Sequence, residues 1–445
     1  MSFERIEQFI FILLTGAAVF LFTKNIRKLR RNVLLGKDLA EPVTQSGLRW
    51  KRLFLNALGQ KKMFKKPLPA ILHLFVYAGF IIINIEILEI ILDGILGVHR
   101  LFAPLLGEKW YPLFISCFEV LGFLVLISCV ILLIRRNVIK VARLNMPELE
   151  RWPKMDANII LITEIILMSA FLILDGADQT IQQKHFFYPP YFQTGTFFLS
   201  SYLVTPFIHL SMKQLVILER TGWWIHITGI FLFLNYLPLS KHLHILLAFP
   251  NTYYARIKNS GKIANMPEVT REVQLMLNPD AAVNEAPAAP GRFGAKDVPD
   301  LSWVDVLGAF SCTECGRCTA ACPANITGKK LSPRKIMMDT RDRAEEIGRN
   351  QDLHGKDYKD DKSLLGDYIS KEEILACTTC QACVEACPVN IDPLSIIVEL
   401  RRYMIMEEAD SPGEWNIMFS NTENNQAPWQ FSPQDRFKWA DDLKN

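Results

Sequence analysis

Residues 223–250 read "WWIHITGIFLFLNYLPLSKHLHILLAFP" and decide what kind of molecule this is. The run is apolar and long enough to cross a bilayer, since a helix needs about 20 residues to span the hydrocarbon core. It also carries three histidines, His226, His242 and His244. A polar ring inside lipid is costly without a partner. The stretch therefore predicts the last crossing of a helical membrane bundle, with imidazoles that hold something.

Earlier runs supply the rest of the bundle. Residues 6–23, 70–92, 111–134 and 158–175 are each apolar over roughly a bilayer's thickness. The fifth span is expected from about Met212 to Leu239, leaving through "SKHLHIL". The segment 196–211, "TFFLSSYLVTPFIHL" over most of its length, reads as a short helix or re-entrant piece on the outer face. Six spans is the alternative. The first run has no cleavage-like site and is followed by "KNIRKLRRN", so it reads as an anchor.

Charge sets the orientation. Residues 24–66 hold 13 Lys/Arg against 2 acids and residues 135–154 hold six, whereas 93–110 hold two and 176–212 only Lys184. The basic loops are expected on the cytoplasmic side, which puts the N-terminus outside. Residues 1–263 carry 29 Lys/Arg and 16 Asp/Glu, a net of +13; residues 264–445 carry 20 and 30, a net of −10. A basic apolar half joined to an acidic polar half predicts a membrane domain (1–250) followed by a soluble one. The basic charges lie between apolar runs, so they do not call for a nucleic-acid partner.

Residues 251–300 read as a linker, richest in Pro, Ala and Gly from 278 onward. Residues 301–408 show helical periodicity, with "SPRKIMMDTRDRAEEIG" opening on a helix-start signal. Residues 409–445 form a tail with Trp415, Trp429 and Trp439. The expected fold class is all-α: a five-span bundle followed by an α-helical ferredoxin domain.

Eight of the ten cysteines form two identically spaced sets. "CTECGRCTAACP" holds Cys312, Cys315, Cys318 and Cys322; "CTTCQACVEACP" holds Cys377, Cys380, Cys383 and Cys387. Each is C-x2-C-x2-C-x3-C-P. Three thiolates on a short loop wrap one cubane, and the fourth is directed at the other cluster. The expected ligand sets are crossed: Cys312, Cys315, Cys318 and Cys387 for one [4Fe–4S] cluster, Cys377, Cys380, Cys383 and Cys322 for the other. Iron-bound thiolates suit a reducing compartment. Cys117 and Cys129 are expected as buried free thiols.

His73 lies in "AILHLFVYAGF" near the cytoplasmic end of the second span, and His244 at the cytoplasmic end of the fifth. Opposed imidazoles at one depth form an axial pair for a b-type haem. His226 precedes His244 by 18 residues, five full turns, which predicts a shared face; His242 points elsewhere by the same count. A second haem near His226 lacks a partner at Ile83, with His209 or His99 as alternatives. Glu86, Glu89, Glu119 and Glu164 lie within spans and either pair inside the bundle or serve a proton path to a quinone.

The membrane half resembles the gamma-subunit type of cytochrome b found in respiratory nitrate reductase. That resemblance implies five spans, an external N-terminus and haem ligands on the second and fifth spans, with His73, His226 and His244 matching three of four positions. The segments "SCTECGRCTAACPANITGKKLSPRKIMMDTRD" and "ILACTTCQACVEACPVNIDPL" resemble the iron–sulfur subunit of heterodisulfide reductase. The order of parts is similar to membrane-bound heterodisulfide-reductase-like oxidoreductases, including those passing electrons from electron-transfer flavoprotein to menaquinone. In fused relatives a segment like "NNQAPWQFSPQDRFKWADDL" precedes cysteine-rich CCG domains. The resemblance therefore implies a separate CCG-domain partner, with Trp429 and Trp439 as docking anchors, in a bacterial inner membrane. Two other classes stand beside it: a non-redox or redox-sensing membrane scaffold in which the clusters are structural, and a transporter subunit, for which no internal repeat is seen.

Overall fold

The computed structural model describes residues 3–39, 42–184, 194–257, 262–278 and 292–443. Part of the outer loop (185–193) and most of the Pro/Ala-rich stretch (279–291) lie outside them. The described residues are helical, with only isolated bridges in place of strands, at Lys37 with Ser302 and Leu365 with Ile369.

Helix α1 runs over Phe3–Val33, and a short helix α2 over Ser46–Arg52. Helix α3, Pro67–Leu96, starts on a proline, where no backbone donor is lost, and ends at Gly97. Gly97 has φ 70°, the left-handed cap a Cβ would oppose, and its N–H reaches the carbonyl of Asp93 at 2.8 Å. Helix α4, Phe102–Asn137, kinks at Gly107, and α5 spans Trp152–Lys184. The eight-residue α6, Ser200–Phe207, is too short to cross, as expected for an outer-face piece. Helix α7, Met212–Tyr236, opens with a capping box between Ser211 and Gln214.

Among the described residues four helices are long and apolar enough to cross a membrane, or five if the bent pair after Met212 is taken as one span. In the bundle α5 packs on α4, α6 and α7, and α3 on α4. Tyr111, Ile115, Phe118 and Phe171 are fully buried at the centre. Helix α1 sits at the edge and turns Phe9, Val19 and Phe20 outward. Such surfaces cost nothing against lipid tails.

The fifth crossing does not continue as one helix through His244. Pro238 lies in a 3-10 turn over Leu237–Leu239, a second such turn covers Lys241–Leu243, and α8, His244–Tyr254, leaves at 90°. Counting 3.6 residues per turn from His226 to His244 therefore fails, because the helix ends before His242.

Helix α9 covers Pro267–Leu277. Ordered packing starts before residue 301: Ala295 and Val298 are fully buried. The C-terminal part then comprises α10 (Trp303–Phe310), α11 (Arg317–Ala321), α12 (Pro323–Ile326) and α13 (Pro333–His354). It continues with α14 (Lys371–Leu375), α15 (Ala382–Ala386), α16 (Pro393–Met406), α17 (Gly413–Asn425) and α18 (Lys438–Asp442). Leu364 and Leu365, in a stretch whose polarity suggests an exposed connection, are buried in its core. Trp429 and Trp439 are 65% and 63% exposed, so neither packs into this core. Cys129 is buried, but Cys117 is exposed, correcting the expectation for that thiol.

The two halves are joined by specific contacts. Lys28 and Arg31 at the end of α1 pair with Asp352 on α13, and Lys65 pairs with Glu385 at 2.5 Å. Asn251 on α8 donates to the carbonyl of Val389 at 2.7 Å.

Candidate functional site

The two cysteine sets share a backbone as well as a spelling. Glu314 and Gly316 have φ of 55° and 70°; Thr379 and Gln381, at the matching positions, have 58° and 62°. Only one of these four is glycine, and the left-handed conformation strains the rest. Both loops accept that strain to turn amides toward sulfur. The N–H of Glu314 and the N–H of Thr379 each lie 3.4 Å from the first sulfur of their set, Cys312 and Cys377. Amides gathered this way suit an anionic iron–sulfur group.

Each loop leads into one short helix, α11 or α15, and these two helices pack together. That contact crosses the sets over. Cys387 lies in the electrostatic neighbourhood of Cys312, Cys315 and Cys318, and Cys322 in that of Cys377 and Cys383. Cys312, Cys315, Cys318 and Cys387 also wall one cavity, whereas Cys322, Cys377, Cys380 and Cys383 do not. Among the described residues no trio of side chains closes around a single metal ion. A cubane asks for less: each cysteine binds a different iron, so its thiols stand further apart. Burial pushes the thiols of Cys312 and Cys383 up to about 12 and that of Cys387 up to about 11, so metal must displace protons to bind.

The shared cavity has a volume of about 470 Å³ and is walled on its membrane side by His73, His242 and His244. The rings of His73 and His244 have centroids 6.2 Å apart. Two imidazoles bound to one metal at about 2 Å, each ring centre about an ångström beyond its nitrogen, stand roughly 6 Å apart. Their 47° interplanar angle suits this, because two ring planes can share an axis and be rotated about it. Each Nδ1 is engaged: that of His73 lies 3.1 Å from Gln60 Oε1, that of His244 3.1 Å from the carbonyl of Lys241. Such contacts fix the tautomer and leave Nε2 for a metal. His73 and His244 are therefore spaced to hold a haem iron between them, where it would supply one-electron chemistry. His242 faces the same cavity, its ring 5.6 Å from that of His244, and packs on Phe233 at 5.3 Å.

His226 lies elsewhere, buried between α7 and α5. Its Nδ1 donates to the carbonyl of Leu167 at 3.0 Å, Phe171 packs at 5.9 Å, and Nε2 has no protein partner. It shares the His73 and His244 pattern, but no second imidazole faces it among the described residues.

Charged groups knit the cavity floor to the first cysteine loop. Arg143, from the turn between α4 and α5, donates to the carbonyl of Cys315. Arg334 on α13 is fully buried; it donates to the carbonyl of Arg143 at 2.6 Å and pairs with Glu148 at 2.7 Å. Lys241 pairs with Glu314. Burial pushes the Glu314 carboxyl up, but Lys241 and Arg341 beside it hold it below the usual range. The second loop has one guanidinium, Arg401, which donates to the carbonyls of Ile374, Leu375 and Cys377. Gln60 and these arginines escape sequence reading, because none lies in a motif and loop arginines are common.

Residues 311–391 match the 4Fe-4S dicluster domain. The chain is similar over 97% of its length to a probable iron–sulfur-binding oxidoreductase, FadF, of Bacillus subtilis, at 26% identity and covering 60% of that protein. It is 28% identical to an EtfAB:quinone oxidoreductase of Syntrophomonas wolfei, over 87% of this chain and 53% of that one. A probable membrane-anchored ferredoxin of Chromohalobacter salexigens is 32% identical over 35% of this chain and 25% of its own. The chain thus spans little more than half the length of the first two relatives. No solved structure matches. Of these relatives one is named for iron–sulfur binding and oxidoreduction, one as a quinone oxidoreductase and one as a membrane-anchored ferredoxin.

Proposed function

We propose that this chain is the membrane subunit of a quinone-linked oxidoreductase. It relays electrons between a soluble redox partner, two [4Fe–4S] clusters, a b-type haem and menaquinone. The observation carrying the reading is the single cavity walled on one side by Cys312, Cys315, Cys318 and Cys387 and on the other by His73 and His244. It brings one candidate cluster site directly against the candidate haem site.

In this reading the haem, when bound, supplies a one-electron carrier inside the bilayer. The protein's residues do the rest. His73 and His244 hold the iron, oriented by Gln60 and the Lys241 carbonyl. The membrane half is then a cytochrome b of the nitrate reductase gamma type. The second cysteine set, with Cys380 exposed, faces the partner, which is taken to be a CCG-domain iron–sulfur subunit or electron-transfer flavoprotein. The relative from S. wolfei, an EtfAB:quinone oxidoreductase by name, supports the quinone end. The setting is a bacterial inner membrane, N-terminus outside and iron–sulfur domain in the cytoplasm, on the strength of the basic loops.

The test is a reduced-minus-oxidised spectrum of purified protein. His73→Ala and His244→Ala should each remove most of the haem absorbance and leave the clusters' paramagnetic signals in place. His226→Ala should leave that main band. Full haem content in both of the first two variants would overturn the assignment.

A further inference from the structure

Among the described residues seven carboxyl side chains are buried in the half of the bundle away from the cysteines, and one of them is not explained by structure. Asp93 accepts from the backbone N–H groups of Arg100 and Leu101, both at 2.9 Å. Glu89 accepts from the N–H of Phe102 at 2.7 Å and from the Tyr111 hydroxyl at 3.2 and 3.1 Å. Both therefore cap the start of α4. Glu119 caps α6 in the same way, through the N–H groups of Leu199 and Ser200. Asp175 and Asp178 on α5 pair with Arg100, and Glu219 pairs with Arg220.

Glu86 is different. It is 1% exposed, neither of its oxygens has a hydrogen-bond partner, and its ion-pair partner among the described residues, Arg100, stands 3.6 Å away and is shared with Asp175 and Asp178. Asp175 likewise leaves one oxygen without a partner. His99, 3.8 Å from Asp178, is the other basic group in the cluster. One shared guanidinium does not neutralise three carboxylates, and an unpaired carboxylate in low dielectric takes up a proton instead.

Position adds the second half of the argument. Glu86, Glu89 and Asp93 are spaced i, i+3, i+7, so they form one stripe on α3. Asp93 lies at the helix end next to Gly97, and Glu86 is about 10 Å deeper into the bundle. The opposite end of α3, at Pro67, adjoins Lys62 and Lys65, which contact the iron–sulfur half.

We propose that Glu86, Glu89 and Asp93 form a proton-exchange path between the bilayer interior and the membrane face opposite the iron–sulfur domain, with Glu86 as the proton-holding terminus. The Tyr111 hydroxyl bridges at Glu89, and Arg100, held by Asp175 and Asp178, forms the wall. In exchange, a proton enters from the membrane face at Asp93 and passes through Glu89 to Glu86, while the proton Glu86 held leaves by the same carboxyls, so each group ends in the charge state in which it began. The path serves the quinone reading, since quinol oxidation releases two protons with its two electrons, but it stands on its own geometry.

The experiment is infrared spectroscopy of the purified, lipid-reconstituted protein at neutral pH, which needs neither quinone nor turnover. A protonated-carboxyl C=O band should be present and should vanish in Glu86→Gln. After transfer to D₂O its isotope shift should be at least about tenfold slower in Asp93→Asn than in the native protein. Glu86→Asp, which keeps the carboxyl, should shift the band without abolishing it, and serves where Glu86→Gln fails to fold. Unchanged cluster absorbance in each variant establishes the fold. A band unaffected by either Glu86 substitution, or exchange unaltered by Asp93→Asn, overturns the path. Neither outcome touches the haem and cluster assignments, which the spectra of the histidine variants decide separately.

Discussion

The two cysteine sets are spelled alike and folded alike, yet their surroundings differ. The first is pressed against the membrane half: Arg143 reaches its loop from between two spans, Arg334 lies beneath it fully buried, and three of its thiols, Cys312, Cys315 and Cys318, wall the histidine cavity. Of the second set Cys387 alone reaches the cavity; Cys377, Cys380 and Cys383 stand off it, with Cys380 exposed and Arg401 as the loop's one guanidinium. Spacing fixes what each loop can bind, and the neighbours fix where it stands in a relay. In the proposed reading, an inner station touching the candidate haem site and an outer one open to a partner would make a direction in space out of a repeated motif.

The largest expected effect tests whether the sets are truly crossed. Cys387→Ser should disturb the cluster of Cys312, Cys315 and Cys318, although Cys387 belongs to the other run. Cys322→Ser should disturb the other cluster. Each variant should lose up to about half of the iron and sulfide, because the intact protein is proposed to carry two clusters of equal size and each substitution strikes one. Site-resolved paramagnetic signals check it. If Cys387→Ser altered only the cluster of its own run, the crossing would be wrong, and with it the inner and outer ranking.

Much of this contrast was legible beforehand and some was not. The spacing of the eight cysteines announces a dicluster fold without any coordinates, and apolar run lengths announce the spans. His73 and His244 could be paired by depth, because both lie near one end of their crossings. Their phase could not be read. Pro238 and Ser240 end α7, so helical periodicity does not carry past Tyr236, and His242 comes to face the cavity that the count turned it from. The supporting residues were silent for another reason. Arg143, Arg334 and Gln60 act through chain segments far apart in sequence, and no local pattern reports such contacts.

A middle-sized effect compares the two guanidinium supports. Removing Arg334 leaves Glu148 without its buried cation, a change that costs about 3–5 kcal/mol when one partner of a buried pair is lost. Removing Arg401 costs only its hydrogen bonds to carbonyls, on the order of 1–3 kcal/mol. Thermal unfolding followed by cluster absorbance should therefore place Arg334→Ala well below Arg401→Ala. Equal melting temperatures would mean that the inner loop gains no extra support from the membrane half.

The smallest effect depends on pH and isolates the seam itself. Burial raises the Glu148 carboxyl, but the Ser332 hydroxyl at 2.6 Å and Arg334 at 2.7 Å outweigh it, so its net shift is downward. A carboxyl held below its unfolded value stabilises the fold fully above that value and loses the contribution as pH falls through its folded one. Glu148→Gln lacks that contribution at every pH. The melting temperature of the native protein should exceed that of the variant by about 2 °C at neutral pH, because Glu148→Gln keeps an acceptor for Ser332 and Arg334 and gives up only the charge. The gap should close on acidification, because only the native protein loses anything there. The matching comparison on the second loop has no carboxylate, since Arg401 binds carbonyls alone, so an Arg401→Gln gap should stay level over the same range. A gap at Glu148 that also stays level would assign the seam to packing and leave its charges idle.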